Sequence, residues 1–403
     1  MMKKTWAVLM LGGLQALLFP DIRNRDKPVK GEWDFRLEKV WEVDNVGAEV
    51  FGLPFTLTVA DDERVYVFDP KNEKNYILDK DGALISTFGR GGQGPGELIG
   101  QERTFFIDGR LAIIDGVGIK YFSRDGSYLK TSGLEKLRRS PQIILGEDEF
   151  ISFPMTAIAV PEGRGEVYYS KLDSAVERKI GDFSLTQAGI GSVGETVMDI
   201  IVIGLSPLLV AGYDQGRLYW GASHSYEIHI SDLEGRALGG FSVDRKARRV
   251  SDSFKKKFFK GPNVPPEMAA AIAKSFSDRL TYFHRIEVHH GLVYVFVPEL
   301  DLDQGKARTA QIDIFSAEGR YLYRARLDFG KELTHLFSPL SNLCFRNGYL
   351  FAVCSRADDT VVIVKYRADL PKDETRPPAD TPVIGRARGM SRPSPQRRSG
   401  HGI

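Results

Sequence analysis

Short runs of alternating apolar and polar residues, separated by turn residues, fill most of the chain. This pattern predicts β-strands, because successive side chains of a strand point to opposite faces of a sheet. In the first unit such runs begin at Leu57, Val65, Asn75 and Ala83, and a turn that ends in Gly82 precedes the fourth run. The same order of runs recurs along the chain, which predicts a repeated four-stranded unit.

The spacing of the repeat indicates the architecture. The turn before the second strand of each unit begins near residues 61, 108, 146, 214, 289 and 346, about 57 residues apart on average. Four strands in 40–60 residues are typical of a propeller blade, and six such units fit residues 33–370. The predicted fold class is therefore all-β, a six-bladed β-propeller with a degenerate third blade and one helical insertion between blades 4 and 5.

The sixth unit, residues 343–366, stops after three strands. A lone strand at residues 35–43 precedes the first blade, and we expect it to supply the missing fourth strand. The N-terminal strand would then close the ring and remove the exposed edge of an open array.

Two sequence features resemble a known group of proteins. An apolar strand, Asp, a polar loop and an apolar strand ending before Gly resemble an NHL-type repeat. Residues 88–98, Phe-Gly-Arg-Gly-Gly-Gln-Gly-Pro-Gly-Glu-Leu, resemble the Gly-Pro-Gly-Glu segment of secreted bacterial six-bladed propellers. The resemblance covers residues 33–370 and implies the architecture, but it implies no single activity and no catalytic residue.

The two ends of the chain differ from the repeat. Lys3 and Lys4 precede an apolar run at residues 7–18, so residues 1–20 are predicted to be a signal peptide or an uncleaved N-terminal anchor. We therefore expect an exported protein, periplasmic or extracellular, with a membrane tether only if the anchor remains. Residues 371–403 are rich in Pro and Arg without hydrophobic periodicity, and are predicted to be a disordered tail.

Charge and cysteine content narrow the function classes. The formal net charge of +2 combines two basic ends with a mildly acidic body, which argues against a nucleic-acid partner. The two cysteines exclude a disulfide scaffold. Cys344 and Cys354 flank a predicted Asn347-Gly348 hairpin and fall on opposite faces, so we expect both to be small buried side chains rather than a disulfide.

The lengths of the connections are uneven. First-to-second and third-to-fourth strand turns, which share one face of a propeller, are all short. The other face, the long-loop face, collects residues 89–103, 154–165, 187–207, 245–284 and 298–308. Because binding commonly uses elaborated loops on a rigid scaffold, we predict that this face carries the function. The alternative is that these loops only pack together as a cap.

The longest insertion contains a basic aromatic segment followed by a predicted helix that starts at Pro265-Pro266. Met268, Ile272, Phe276 and Leu280 form an apolar stripe on this helix, which favours a helix packed on the propeller. The alternative is a lid, in which Lys255, Lys256 and Lys257 contact an acidic ligand, a glycan or a lipid headgroup.

Further candidate binding residues lie elsewhere on the long-loop face. We expect the Gly-rich segment to line the channel mouth and the two histidines to lie on the same face; the residues are Arg90, Gln93, Glu97, Arg103, His224 and His284. The segment also matches Gly-x-Gly-x-x-Gly, but it opens no helix, so a dinucleotide site is excluded. The expected partner is a protein, a glycan or a small anionic ligand, bound by a monomer.

Two function classes remain from the sequence. The first is an exported ligand- or protein-binding propeller without a cofactor. The second is a lactonase-like or lyase-like propeller enzyme with calcium or zinc in the central channel, to which Asp69, Glu97, Asp115 and Asn342 could contribute. No catalytic motif is present, so the catalytic residues are unknown.

Overall fold

The fold is a six-bladed β-propeller, as predicted from the repeat. The computed structural model describes residues 21–47, 49–52, 56–101, 103–116, 118–133, 141–154, 163–172, 174, 176–185, 190–193, 196–199, 204–260, 265–301, 306–330, 333–335 and 342–372. The predicted leader and almost all of the predicted tail therefore lie outside the described residues.

Five short strands precede the first blade. They are β1 (Ile22–Arg25), β2 (Glu32–Trp33), β3 (Glu38–Val43), β4 (Asn45–Val46) and β5 (Glu49–Val50). The last two pair with each other, whereas the first three each join the sheet of a different blade.

Blades 1 to 3 are four-stranded sheets in which consecutive strands pair antiparallel. Blade 1 contains β6 (Thr56–Val59), β7 (Val65–Asp69), β8 (Lys74–Leu78) and β9 (Leu84–Phe88). Blade 2 contains β10 (Arg103–Ile107), β11 (Arg110–Ile114), β12 (Gly118–Phe122) and β13 (Tyr128–Gly133). Blade 3 contains β14 (Pro141–Gly146), β15 (Glu149–Ser152), β16 (Arg164–Lys171) and β17 (Val176–Ser184).

Blades 4 to 6 are joined by longer connections. A hairpin of β18 (Ile190–Val193) and β19 (Thr196–Asp199) precedes blade 4. Blade 4 contains β20 (Leu209–Asp214), β21 (Arg217–Ala222), β22 (Glu227–Ser231) and β23 (Ala237–Asp244). The insertion contains α1 (Asp252–Phe258) and α2 (Pro266–Ser275). Blade 5 contains β24 (Arg285–His289), β25 (Leu292–Asp301), β26 (Lys306–Ser316) and β27 (Tyr321–Arg326). Blade 6 contains β28 (Leu333–His335), β29 (Leu343–Arg346), β30 (Tyr349–Arg356) and β31 (Val361–Arg367).

The hydrophobic core lies between the blades. Each of the six interfaces between neighbouring blades holds its own cluster of buried apolar side chains. In β7 the side chains of Val65 and Val67 pack towards blade 6, while Tyr66 between them packs towards blade 2. Both faces of a blade are therefore buried, because alternate residues of one strand serve two different interfaces.

The predicted closing strand is confirmed. β3 pairs antiparallel with β31 and becomes the fourth strand of blade 6, with Trp41 opposite Lys365. The Trp41 indole N–H donates to the Lys80 carbonyl of blade 1 at 2.9 Å. The N-terminal strand thus completes the last blade and also contacts the first.

The strands β1 and β2 were not predicted. β1 pairs parallel with β23 at the outer edge of blade 4, and β2 pairs parallel with β27 at the outer edge of blade 5. Together with β3 they form an N-terminal belt, residues 22–43, that follows the outside of blades 4, 5 and 6. The propeller sheets therefore begin at Ile22, upstream of the predicted start at residue 33.

A buried carboxylate lies between blades 4 and 5. Asp313 of β26 is fully buried and accepts hydrogen bonds from the Tyr226 hydroxyl at 2.6 Å and the Tyr321 hydroxyl at 2.5 Å. The Arg245 guanidinium forms an ion pair with it at 2.8 Å. Since a buried charge is tolerated only with a counter-charge and hydrogen bonds, this network couples the two blades.

The belt joins the same network from outside. Asp26 forms ion pairs with Arg245 and with Arg324, each at 2.6 Å. Asn24 accepts a hydrogen bond from the Tyr321 amide and donates to the carbonyl oxygens of Ser242 and Gly319. These contacts fix the belt across the boundary between blades 4 and 5.

One local prediction is wrong and another is confirmed. Within the segment 298–308, which was predicted as a loop, residues 298–301 and 306–308 instead extend the β25–β26 hairpin, with a register shift between Val297 and Glu299 where Pro298 stands. Cys344 and Cys354 are both free, as predicted. Among the described residues, no helix has the length and apolar character to span a membrane.

We predict that Asp313→Asn will lower the free energy of unfolding by about 3 kcal/mol, towards the low end for breaking a buried ion pair because Arg245 keeps Asp26 as a partner. Urea unfolding of the purified variant measures this. Asp232→Asn is the control, since its partner Arg236 is largely exposed and such pairs contribute roughly 0–1 kcal/mol. Equal losses in the two variants would contradict the coupling role of Asp313.

Candidate functional site: the channel mouth

The first strands of the blades surround the central channel. All of them begin at the long-loop face, where the blade-to-blade connections arrive, so the residues at their starts form the channel mouth. A cavity of about 210 Å³ lies there between blades 1 to 5. Its polar lining residues are Thr58, Arg103, Thr104, Gln142, His284, Arg285 and Glu287.

Two of the predicted binding residues, Arg103 and His284, meet in this cavity. Arg103 starts the first strand of blade 2, and its guanidinium donates to the Gln142 carbonyl of blade 3 at 2.8 Å. His284 immediately precedes β24 and is buried beside the ring of Phe296. Strand starts from non-adjacent blades thus converge on one small volume.

The prediction missed the charged pair beside His284. Arg285 and Glu287 both line the cavity and form an ion pair with each other. The Arg285 guanidinium also donates to the Leu343 carbonyl of blade 6. Burial raises the pKa of Glu287, and the neighbouring Arg285 opposes that shift. The signal available in the sequence was the position itself, since Arg103, Gln142 and Arg285 all stand at the start of a blade's first strand.

The described residues that line the mouth carry two guanidinium groups and one carboxylate. Counted over these described side chains alone, with His284 neutral, the formal charge of the lining is +1, and the single carboxylate, Glu287, forms an ion pair with Arg285. Guanidinium groups bind carboxylates and phosphates through two parallel hydrogen bonds, so this lining suits a small anion.

The Gly-rich segment has a local structural role. The Glu97 carboxylate folds back into the loop, accepts from the Gly94 amide at 2.7 Å and pairs with Arg90. A Cβ at Gly92 would lie 2.2 Å from that carboxylate, which explains the glycine. The Gly94 amide and Arg90 both lower the pKa of Glu97. Gln93 and the Arg90 side chain, 84% accessible, point outward, and neither is among the residues that line the cavity.

The acidic residues considered for a channel metal have local partners. Asp115 forms a buried ion pair with Lys120 at 2.9 Å, and Lys120 also donates to the Glu97 carbonyl. Asp69 accepts from the amides of Gly52 and Lys71. Within the described part of the chain, no three or more His, Cys, Asp or Glu residues are grouped so that they could hold a metal.

His224 belongs to a second cavity. A cleft of about 800 Å³ lies between blades 3 and 4, also at the long-loop face, and His224, His229 and Glu227 line it. The His229 ring packs against Trp220 in a tilted arrangement, with the ring centroids 4.5 Å apart. Burial lowers the pKa of both histidines.

The channel cavity and the cleft are separate but adjacent. Phe153 lines the channel cavity, and the next residue, Pro154, lines the cleft. Two of the predicted binding residues, Arg103 and His284, therefore line the channel cavity. His224 lines the cleft, on the other side of Phe153 and Pro154.

The basic segment of the insertion is a helix, α1, which was not predicted. Ser251 caps it by accepting from the Phe254 amide, and Phe254 stacks on Phe258 one turn later. α2 begins where predicted but ends at Ser275, so the apolar stripe continues past the helix in extended chain. The two helices enclose their own apolar cluster, and α2 contacts β18 of the preceding connection.

The three lysines of α1 have different surroundings. Lys255 is 4% accessible, pairs with Asp252 and donates to the Phe276 carbonyl at 3.1 Å. Lys256 and Lys257 are exposed. Lys255 therefore connects α1 to the end of α2, and its ammonium group is turned inward rather than presented to a ligand.

Comparisons with known proteins support the architecture. A family model described as a six-bladed β-propeller (DUF5128) matches residues 52–190, which are blades 1 to 3. A solved member of the DUF4221 family from Bacteroides vulgatus superposes with a TM-score of 0.51 at 9% identity, over 83% of this chain and 99% of that one. At 9% sequence identity, this structural similarity shows a shared fold only.

Two propeller enzymes are among the other structural neighbours. A gluconolactonase from Xanthomonas campestris gives a TM-score of 0.43 at 12% identity, over 83% of this chain and 90% of that one. A virginiamycin B lyase from Staphylococcus aureus gives 0.36 at 12% identity, over 82% and 99%. No curated protein matches the sequence.

Replacing Lys255 tests its inward role. We predict that Lys255→Met will speed chymotryptic cleavage within residues 252–276 several-fold, because a hydrogen bond from a charged group to the end of α2, worth about 1.5–3 kcal/mol, is lost. Lys256→Met, on the exposed side of the same helix, is the control and should be digested like the parent. If all three proteins are cut at the same rate, Lys255 does not hold the insertion together.

Proposed function

We propose that this protein is an exported binding module that holds a small anionic ligand at the mouth of its central channel. The observation that supports this most directly is that Arg103 of blade 2 and Arg285 of blade 5 line one cavity together with His284. A cavity of about 210 Å³ is smaller than the usual range of roughly 300–1,000 Å³ for drug-sized ligands, so the ligand is a small one.

The surroundings of the cavity support the same proposal. The mouth lies on the long-loop face, where the insertion begins at Arg245 and returns at His284. Tyr282 ties the return to its start, because its hydroxyl donates to the Arg245 carbonyl at 3.1 Å and its amide donates to the Ser223 carbonyl. His284, which immediately precedes β24, therefore belongs to a segment that is already held in place before a ligand binds. This lowers the conformational entropy that is lost on binding.

Export and the kinship with secreted NHL-like propellers are part of the proposal and rest on the sequence. The basic start and the apolar run within residues 1–20 support export. Cleavage at or before Pro20 would leave β1, which starts at Ile22, intact. Mass measurement of the protein recovered from the cell envelope or medium, compared with the full chain, tests this.

Binding at the mouth is tested with arginine variants and a defined set of probes. We predict that small carboxylates or phosphates raise the melting temperature of the parent more than their neutral amide analogues do. Arg103→Gln should lower the affinity for the tightest-binding anion about 10- to 100-fold, since a charge-assisted hydrogen bond contributes about 1.5–3 kcal/mol. Isothermal titration calorimetry measures the ratio.

Two further variants make the test specific. Arg103→Lys keeps the charge but not the planar fork, and should weaken binding less than Arg103→Gln. Arg90→Gln removes an exposed arginine from the Gly-rich segment outside the cavity and should leave the affinity unchanged. An affinity that falls with Arg90→Gln but not with Arg103→Gln would move the site away from the channel.

A further inference from the structure

Blades 1, 2, 4 and 5 share one turn between their third and fourth strands. In each turn a glycine with positive φ donates its amide to the carbonyl three residues earlier; the glycines are Gly82, Gly126, Gly235 and Gly319. Six residues before this glycine, the third strand of every one of these blades carries a polar side chain. These equivalent residues are Tyr76, Lys120, His229 and Asp313.

The shared position is closed in three of these blades and open in blade 4. Tyr76, Lys120 and Asp313 are all buried. The Tyr76 hydroxyl donates to the Glu49 carboxylate at 2.8 Å, and Lys120 and Asp313 form buried ion pairs. His229, by contrast, is exposed in the cleft between blades 3 and 4, and its ring has no hydrogen-bond partner within the described chain. An imidazole is therefore accessible where the other blades bury their polar group.

Small residues leave room for the cleft. Gly165 of blade 3 and Ala222 of blade 4 both line it. A Cβ at Gly165 would overlap the Phe183 ring, and a Cβ at Gly181 would overlap the Trp220 ring. Both rings are buried in the core between the two blades, and both also line the cleft. The cleft thus has an apolar floor, and its volume of about 800 Å³ falls within the roughly 300–1,000 Å³ of sites for drug-sized ligands.

The formal charge of this lining is opposite to that of the channel cavity. Counted over the described side chains with both histidines neutral, it is −2, from Glu166, Asp182, Glu227 and Arg164. Glu166 and Asp182 both form ion pairs with Lys179, which stands outside the lining. Glu227 forms no ion pair or hydrogen bond through its side chain with any described residue, so it is the carboxylate of the cleft that is available to a ligand.

The two histidines of the cleft do not offset this negative charge. Burial lowers the pKa of His224 and of His229, and the nearby Glu227 carboxylate opposes that shift. Both rings are therefore neutral at neutral pH, and each neutral imidazole has one nitrogen that accepts a hydrogen bond. A carboxylate and neutral imidazoles beside an apolar floor suit a ligand that donates hydrogen bonds and carries a positive charge.

We propose that the cleft between blades 3 and 4 is a second binding site, separate from the channel, for an organic amine with an apolar body. The ammonium group pairs with Glu227 and donates to the His229 ring, and the apolar body lies against Phe183, Trp220 and Ala222. An ammonium group has three donors and no acceptor, which matches the acceptors of this wall. The two cavities of the long-loop face then select ligands of opposite charge.

An NMR titration with benzylamine as the probe tests the ligand class and the position of the site. Benzylamine should shift the indole N–H signal of Trp220 and leave those of Trp33 and Trp41 in place. It should bind about tenfold or more tightly than benzyl alcohol, which has the same ring but no charge, because a hydrogen bond to a charged group is stronger than a neutral one. Benzoate, with the opposite charge, should not shift the Trp220 signal.

Two substitutions test the residues. Glu227→Gln should lower the affinity for benzylamine about tenfold or more, because the ammonium group loses its counter-charge. Glu32→Gln makes the same change at an exposed position on the outer edge of blade 5 and should bind like the parent. Ala222→Leu fills part of the cleft without a change of charge and should also weaken binding, with a melting temperature close to that of the parent.

Three outcomes would overturn the proposal. Equal affinities for benzylamine and benzyl alcohol would show that the cleft does not select a positive charge. Equal affinities of the Glu227→Gln and Glu32→Gln variants would remove Glu227 from the site. A Trp220 signal that moves with glucose but not with benzylamine would assign the cleft to a neutral hydroxyl-rich ligand instead of an amine.

Discussion

A propeller blade has two apolar faces, and neither can remain in water. The alternation along β7, with Val65 and Val67 towards blade 6 and Tyr66 towards blade 2, shows how one strand supplies two cores. The chain therefore has no stable stopping point short of a closed ring, since an absent neighbour would leave a whole face of a blade exposed. Closure by β3 follows from this constraint: it completes blade 6, which takes part in the cores towards both blade 5 and blade 1.

Closure also explains why the channel mouth can carry a polar site. The cores lie between blades, so the first strands are free to present backbone and polar side chains to the channel without loss of packing. Arg285 illustrates the division: its guanidinium reaches Leu343 of blade 6 and Glu287 in the channel, while its neighbour Ile286 packs in the core between blades 4 and 5. A rigid ring thus fixes the positions of charged groups that come from blades far apart in sequence.

The repeat was readable from the sequence because strands, turns and spacing all encode it. The hairpin predicted at Asn347-Gly348 is confirmed, and its register places Cys344 opposite Phe351. β1 and β2 could not be recognised, because Ile-Arg-Asn-Arg and Glu-Trp are too short and too polar for an alternating signal and pair with distant strands. α1 was missed because its stability comes from the Ser251 cap and an aromatic stack within a segment dominated by lysine.

The site was predictable only in part. Arg103 and His284 could be placed because both stand at the beginning of a blade's first strand. Glu97 was placed at the mouth by its motif, yet the structure directs its carboxylate into the loop that the surrounding glycines allow. Whether a charged side chain faces a channel or its own backbone depends on contacts with distant parts of the chain, such as the hydrogen bond from Lys120 to the Glu97 carbonyl, and the hydrophobic periodicity of the sequence does not predict them.

The outer edges present a different physical problem from the inner faces. Every blade buries its two faces against its neighbours in the same way. The outer edge of each blade, however, leaves a row of unpaired backbone N–H and C=O groups, and each edge needs its own protection. This chain uses a parallel belt for blades 4 and 5, an antiparallel strand for blade 6 and charged residues on β17 for blade 3. The Asp26 pairs with Arg245 and Arg324 show that the belt does more than cover an edge, because they link the outside of the ring to the carboxylate buried at Asp313. Arg245 is also where the insertion that contains α1 and α2 begins, so the outer edge, the blade interface and the start of that insertion share one set of charges.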